Sequence, residues 1–214
     1  MQIVLEQFPE NQYVKQITRK SQIVIHHTVS GPGISGDKAW WESTPERIAT
    51  HFIIDRDGVI HQFFKEEYWA SHLGIKQEVF SKFGVKYQNL DQTSISIELD
   101  SWGPLKGDLT PVGNPKFGEV KYPYEYCTAA PFRGYRFYER YTTKQLEALQ
   151  ELLLYLTKKH LITRRYNENM FDQNRVALSG GPGIWGHVSF RSDKSDPHPQ
   201  KELVDLLKNL SNAK

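Results

Sequence analysis

Apolar and polar positions along this chain fall into patterns that define its elements. Residues 21–29, SQIVIHHTV, are a short β-branched run of the kind buried on both faces of a sheet. Residues 49–64, ATHFIIDRDGVIHQFF, place two apolar runs around Asp57-Gly58 and predict a hairpin. In TSISIELDS (93–101) the alternation is strict: Ile95, Ile97 and Leu99 take one face, and Ser94, Ser96, Glu98 and Asp100 the other. Residues 141–161 carry a helical stripe of Leu146, Leu149, Leu153 and Leu156. Thr142 and Gln145 are spaced as a capping box, and Lys158 and Lys159 fall in the last turn. PQKELVDLLKNL (199–210) predicts a closing helix, and a shorter helix is expected around Thr44 to Ile48, entered through STPER. Residues 102–140 and 179–200 show neither period. They read as irregular regions, and the aromatic content of the first argues against disorder. The glycines of SGGPGIWG are expected to shape a turn. Interspersed strands and helices predict an α/β single domain, a central mixed β-sheet flanked by helices.

Composition narrows the function classes. The chain has 214 residues and is 38% hydrophobic, enough for one domain over residues 1–214 with a core at about 20–210. A net charge of +2 does not call for a nucleic-acid partner. The single Cys127 excludes an intrachain disulfide scaffold and reads as a small apolar residue. No basic start followed by a long apolar run opens the chain, so no signal peptide is expected and synthesis would leave the protein in the cytoplasm. No apolar run is long enough to predict membrane insertion.

The candidate chemistry lies in the histidines and a few acids. His160 reads as a helix-terminus residue, His61 as half exposed on a hairpin strand, and His51 as a hydrogen-bonded core residue. His26 and His27 are adjacent on one strand and point to opposite faces, and alternation alone does not choose between them. Residues 186–199, GHVSFRSDKSDPHP, supply His187, Lys194 and Asp196 from chain too rich in Gly and Pro for a regular helix. A strand His with a His and an Asp from a braced loop suits a catalytic zinc site, which keeps one position open. Glu98, on the polar face of its strand, could serve as a general base, and its alternative is a surface carboxylate on an edge strand. Lys194 shares a face with Asp196 if the segment is extended and could stabilise an oxyanion; otherwise it is a solvated loop lysine. No HExxH helix, GxSxG elbow or phosphate loop is present.

Four blocks in order resemble the zinc-dependent N-acetylmuramoyl-L-alanine amidases of type 2, a family that includes phage endolysins and is related to peptidoglycan recognition proteins. IVIHHT is similar to the first-ligand strand, which selects His26 and leaves His27 in the variable next position. ATHFIIDRDGVIHQFFKEEYWASHLG is similar to the hairpin block, which ends in a groove histidine, here His72. TSISIELD is similar to the catalytic strand and places its acid on Glu98. GHVSFRSDKSDPHP is similar to the final block, which carries over to His187, Asp196 and Lys194. Thr50 stands where some relatives have an active-site Tyr, and residues 197–199 read PHP where Pro-Gly is common.

The resemblance implies Zn2+ held by His26, His187 and Asp196, Glu98 as proton acceptor, and Lys194 as oxyanion partner. The implied reaction cleaves the amide between muramic acid and L-alanine in peptidoglycan. Glycan and stem peptide are expected in a groove walled by aromatics of 64–72 and 120–138, with His27, Trp69, His72 and Tyr135 as substrate contacts. The implied setting is a monomeric phage lysis enzyme reaching the cell wall after release. A peptidoglycan-binding module without catalysis, a zinc peptidase cutting within the stem peptide, and a purely structural role are the competing readings.

Overall fold

The computed structural model describes residues 2–114, 116, 118 and 126–212, by backbone alone at 126–130. Its centre is a six-stranded mixed sheet in the order β1-β4-β3-β5-β2-β9. The strands are β1 (Ile3–Leu5), β2 (Gln22–His27), β3 (Phe52–Ile54), β4 (Ile60–Gln62), β5 (Ser94–Leu99) and β9 (Gly183–Gly186). Only the β3–β4 pair is antiparallel. It is the hairpin predicted around Asp57-Gly58, where Gly58 has φ +83° and a Cβ would meet the Lys144 carbonyl at 2.7 Å. β2 is buried at every position, as its β-branched run predicts.

Helices flank the sheet. α3 (Thr143–His160) and α5 (Lys201–Asn212) turn their leucines onto the face formed by Ile23, Ile25, Ile95, Ile97 and Leu99. The predicted capping box is present: the Gln145 N–H donates to the Thr142 hydroxyl at 3.1 Å, and the Thr142 N–H to the Gln145 side chain at 3.0 Å. The Gln145 amide also donates to the carbonyls of Ile54 and Asp100, tying the helix start to the ends of β3 and β5. α1 (Ser35–Ser43) supplies Trp41 to a second cluster with Phe8, Ile53, Phe63 and Phe64, and Ile53 lies on the sheet face opposite that of its neighbours Phe52 and Ile54. Short helices α2 (Gln77–Lys82) and α4 (Arg175–Leu178) complete the described set of α-helices. None of the described helices is long and apolar enough to cross a membrane.

Three local expectations are corrected. The helix expected over Thr44–Ile48 lies earlier, at Ser35–Ser43, and ends at Thr44, whose extended backbone (ψ 137°) is what a residue preceding proline prefers. Arg47, with φ +54°, then turns the chain toward the Ile48–Ser71 bridge. Within 102–140, β6 (Pro104–Leu105), β7 (Tyr126–Phe132) and β8 (Tyr135–Glu139) form a three-stranded antiparallel sheet rather than an irregular region. Its β7–β8 turn is Arg133-Gly134, both at positive φ. The glycines of SGGPGIWG bracket strand β9 instead of only shaping a turn. Residues 119–125 of the aromatic stretch, and the side chain of Cys127, lie outside the described residues.

One buried ion network joins the small sheet to the large one. Arg56, after β3, pairs with Asp100 at 2.5 Å and with Glu139 of β8 at 2.8 Å, and donates to the Ser30 carbonyl. Glu139 also accepts from the Trp102 N–H, and Asp100 from the Gly33 N–H. Elsewhere Lys20, 2% exposed, donates to the carbonyls of Tyr68 and Gln92. Burial pulls its pKa down to about 7, against the opposing pull of Asp91 and Glu67.

Lys20 therefore holds its proton more weakly folded than unfolded, where its pKa is about 10.4. Its burial penalty is full below pH 7 and fades as pH rises toward 10, so this group raises stability with pH. The second donors to its two carbonyls, His51 and Thr18, remain when it is replaced. Lys20→Met should flatten the rise in stability between pH 7 and 10, at about 1.4 kcal/mol per unit of pKa shift. Urea denaturation of both proteins at pH 6.5 and 9.5 checks this; parallel pH profiles would refute it.

Candidate metal centre and cleft

The parallel register of β2 and β5 pairs His26 with Glu98, and β3 pairs Ile53 with Glu98 from the other side. Registered partners share a face, so His26 and Glu98 project side by side from the face opposite α3. His27 pairs with Leu99 and projects the other way. Its Nδ1 lies 2.9 Å from the Tyr141 hydroxyl, beside Tyr138 and His198.

β9 brings the third part of the chain level with these residues. Gly186 pairs with Ile25, so His187 emerges next to His26. A side chain at Gly186 would place its Cβ 2.6 Å from Pro197 Cδ, and the Val188 N–H donates to the Asp196 carbonyl at 3.0 Å. Glycine thus lets the 186–188 turn pack directly on the 196–197 turn.

The result is a triangle of donor atoms. His26 Nδ1 and His187 Nδ1 are 3.0 Å apart, and Asp196 Oδ2 lies 3.1 Å from the first and 3.0 Å from the second. All three residues are buried. Tetrahedral zinc with bonds of about 2.0–2.1 Å sets its ligands roughly 3.3 Å apart, close to these spacings. The His187 Nε2–H donates to the Leu73 carbonyl at 3.0 Å, so its Nδ1 carries a lone pair. Burial, then the neighbouring His187, lowers the His26 pKa to about 4. Burial pushes Asp196 up, but His187 and His26 outweigh it and hold its carboxyl well below the usual range. A carboxylate and uncharged imidazole suit a dication, and these residues fit a zinc ion.

Around the triangle opens a cleft of about 750 Å³. Glu98 lines it with a buried Oε2 that has no hydrogen-bond partner among the described residues. Burial, then the carboxylates of Asp196 and Asp37, pushes its pKa well above the usual value, while Lys194 pulls the other way. Lys194 also lines the cleft, as do Tyr135 and Thr50. Tyr135 comes from the small sheet and meets Tyr138 edge-on at 6.3 Å.

Of the residues singled out in the sequence, the structure brings His26, His187, Asp196, Glu98, Lys194, His72 and Tyr135 to this cleft. His72 sits behind the triangle, its side chain 1% exposed and its Nδ1 3.0 Å from His26 Nε2. His27 reaches the rim but directs its ring to the opposite face. Trp69 is not among the cleft residues; it bridges Val14 and donates from its ring to Gln16. Glu98 stands on a central strand, not at an edge. Sequence reasoning missed Asp37, whose carboxyl burial raises to about 6, along with Trp40 and Arg133 on the cleft walls. It also missed Ser94, although alternation had placed that residue on the face of Glu98.

A cleft floored by two imidazoles and a carboxylate, beside an acid with one buried oxygen unpartnered among the described residues, defines a candidate metal-dependent hydrolytic site. The N-acetylmuramoyl-L-alanine amidase family model matches residues 17–199, and the chain belongs to that family. Its fold is similar to that of the N-acetylmuramoyl-L-alanine amidase LysC from Clostridium intestinale URNW, at 17% identity and TM-score 0.53, over 100% of this chain and 99% of that one. PlyL aligns over 97% and 98% of the two chains at 14% identity and TM-score 0.55. A mutant endolysin from Bacillus subtilis aligns over 98% of each at 15% identity and TM-score 0.56. No curated protein matches the sequence.

Asp196→Ala should strip most of the zinc that the wild-type chain carries through gel filtration, because two imidazoles alone make a poor site. Elemental analysis checks this, and unchanged zinc would remove Asp196 from the donor set.

Proposed function

We propose that this protein is a zinc-dependent amidase that cleaves the bond between N-acetylmuramic acid and L-alanine in peptidoglycan, in the setting of a phage lysis enzyme. The observation that carries the reading is the triangle of His26, His187 and Asp196 donor atoms beside the free oxygen of Glu98, in a chain of the amidase family. The lysis role is supported by fold similarity to proteins described as endolysins. On this reading residues 1–214 act as one monomeric amidase domain, with Pro104, Arg133 and Tyr135 of the 102–140 insertion lining the cleft.

His26, His187 and Asp196 would hold the zinc, which would supply Lewis-acid polarisation and make a water nucleophilic near neutral pH. Glu98 Oε2, which has no hydrogen-bond partner among the described residues, takes the proton of the attacking water and returns it to the departing L-alanine amine. Lys194 places a positive charge at the cleft wall, where it stabilises the oxyanion developing on the lactyl carbonyl. Tyr135 offers a ring for stacking against sugar or peptide. His72 is better placed to act on His26 than on substrate.

The mass of the released products tests the reaction. Purified cell wall should yield intact stem peptides with new L-alanine amino termini. Shortened peptides would favour a peptidase, and binding without release a non-catalytic module. Glu98→Gln should keep zinc and fold yet lose about 10²–10⁴-fold in turnover; near-normal turnover would exclude Glu98 as the base. Lys194→Ala should slow turnover with zinc content unchanged, and loss of metal would contradict its assignment to the oxyanion.

A further inference from the structure

The contacts behind the donor triangle have a direction. The Ser94 hydroxyl lies 2.7 Å from the Leu90 carbonyl, an atom that can only accept, so Ser94 must donate to it. Ser94 Oγ is then free to accept, and its neighbour at 2.8 Å is His72 Nε2, which must carry a proton. A neutral imidazole has one N–H, so His72 Nδ1 bears a lone pair. That lone pair faces His26 Nε2 at 3.0 Å, and His26 must donate in turn. The remaining nitrogen of His26, Nδ1, is thereby left as a lone pair pointing at His187 and Asp196.

We propose that His72 and Ser94 are positioning residues that fix His26 as a metal ligand through this one-way hydrogen-bond relay ending on the Leu90 carbonyl. The proposal rests on the metal-site reading above. The next residue along performs the same service for the other imidazole, since the Leu73 carbonyl accepts from His187 Nε2–H. Two consecutive residues thus set the tautomers of both histidine ligands. Asp91 holds this dipeptide in place: one of its carboxylate oxygens accepts the backbone N–H of His72 at 3.0 Å and of Leu73 at 2.9 Å. The His72 ring and Ser94 are buried, so water does not compete for these positions.

Asn and Leu are nearly equal in shape, but only Asn offers an acceptor oxygen where His72 Nδ1 lies. His72→Leu should weaken zinc binding about 10–100-fold, the usual loss when a ligand's outer partner is removed, whereas His72→Asn should recover most of it. Competition with a chromogenic chelator measures both, with Ser94→Ala expected to fall between them. Equal losses in the Leu and Asn variants would reduce His72 to packing and overturn the relay. Long-range ¹H–¹⁵N spectra of the zinc-loaded wild type give a second reading that does not depend on any variant folding: the His72 proton belongs on Nε2, and finding it on Nδ1 overturns the relay. A wild-type chain that binds no zinc would instead defeat the metal-site reading and take the relay with it. Zinc bound normally by the wild type and His72→Leu alike defeats the relay alone.

Discussion

The parallel pairing of β2 with β5 is the contact on which the site depends. It sets His26 beside Glu98, one strand spacing apart on a single face. A slip of one residue would send His26 to the leucine face and bring His27 forward. Ile23 and Ile25 oppose that slip, because both would lose their places beneath α3 and α5. The hydrophobic core therefore specifies which of two adjacent histidines faces the cleft. β9 extends the same logic, since its pairing with β2 delivers His187 at the height of His26.

The polar side of β5 is buried almost as deeply as the apolar side, an unusual demand on a central strand. Unpaired polar groups there would be costly, and the chain meets the demand residue by residue. Ser94 serves His72, Ser96 serves His51, and Asp100 serves Arg56. Glu98 is the exception, with one oxygen buried and unmatched among the described residues. The departure from full satisfaction falls on the residue proposed above as the base, a role that calls for a group with spare capacity.

The larger elements were legible because their periods were uninterrupted: β2, the hairpin, β5, α3 with its capping box, and α5. What failed to show had weak or misleading punctuation. STPER resembles a helix entry, yet Pro45 follows a helix that ends before it. β9 hides among glycines because each of its residues is buried against close neighbours. The small sheet was obscured by a β7–β8 register irregularity that breaks simple alternation. In the site, the residues that converge were marked by chemistry and order along the chain. Asp37 and Arg133 carried no such mark, since only the folded cleft brings α1 and the β7–β8 turn to the same opening. Trp69, an aromatic of the hairpin block, packs instead against a different neighbour, its ring N–H donating to Gln16.

The Arg56 network gives the cleft an unexpected modularity. The lip that carries Tyr135 is tied to the main body by one guanidinium gripping Asp100 on one side and Glu139 on the other, and by Arg133, which reaches Asp172 and the Phe171 carbonyl. A lip exchanged between relatives would transplant cleanly only if its counterpart to Glu139 came with it, since its loss would leave the buried Arg56 with one carboxylate instead of two and the Trp102 N–H without its acceptor. Side chains on that lip can diversify while the floor of donor atoms stays untouched, provided these ties are inherited together.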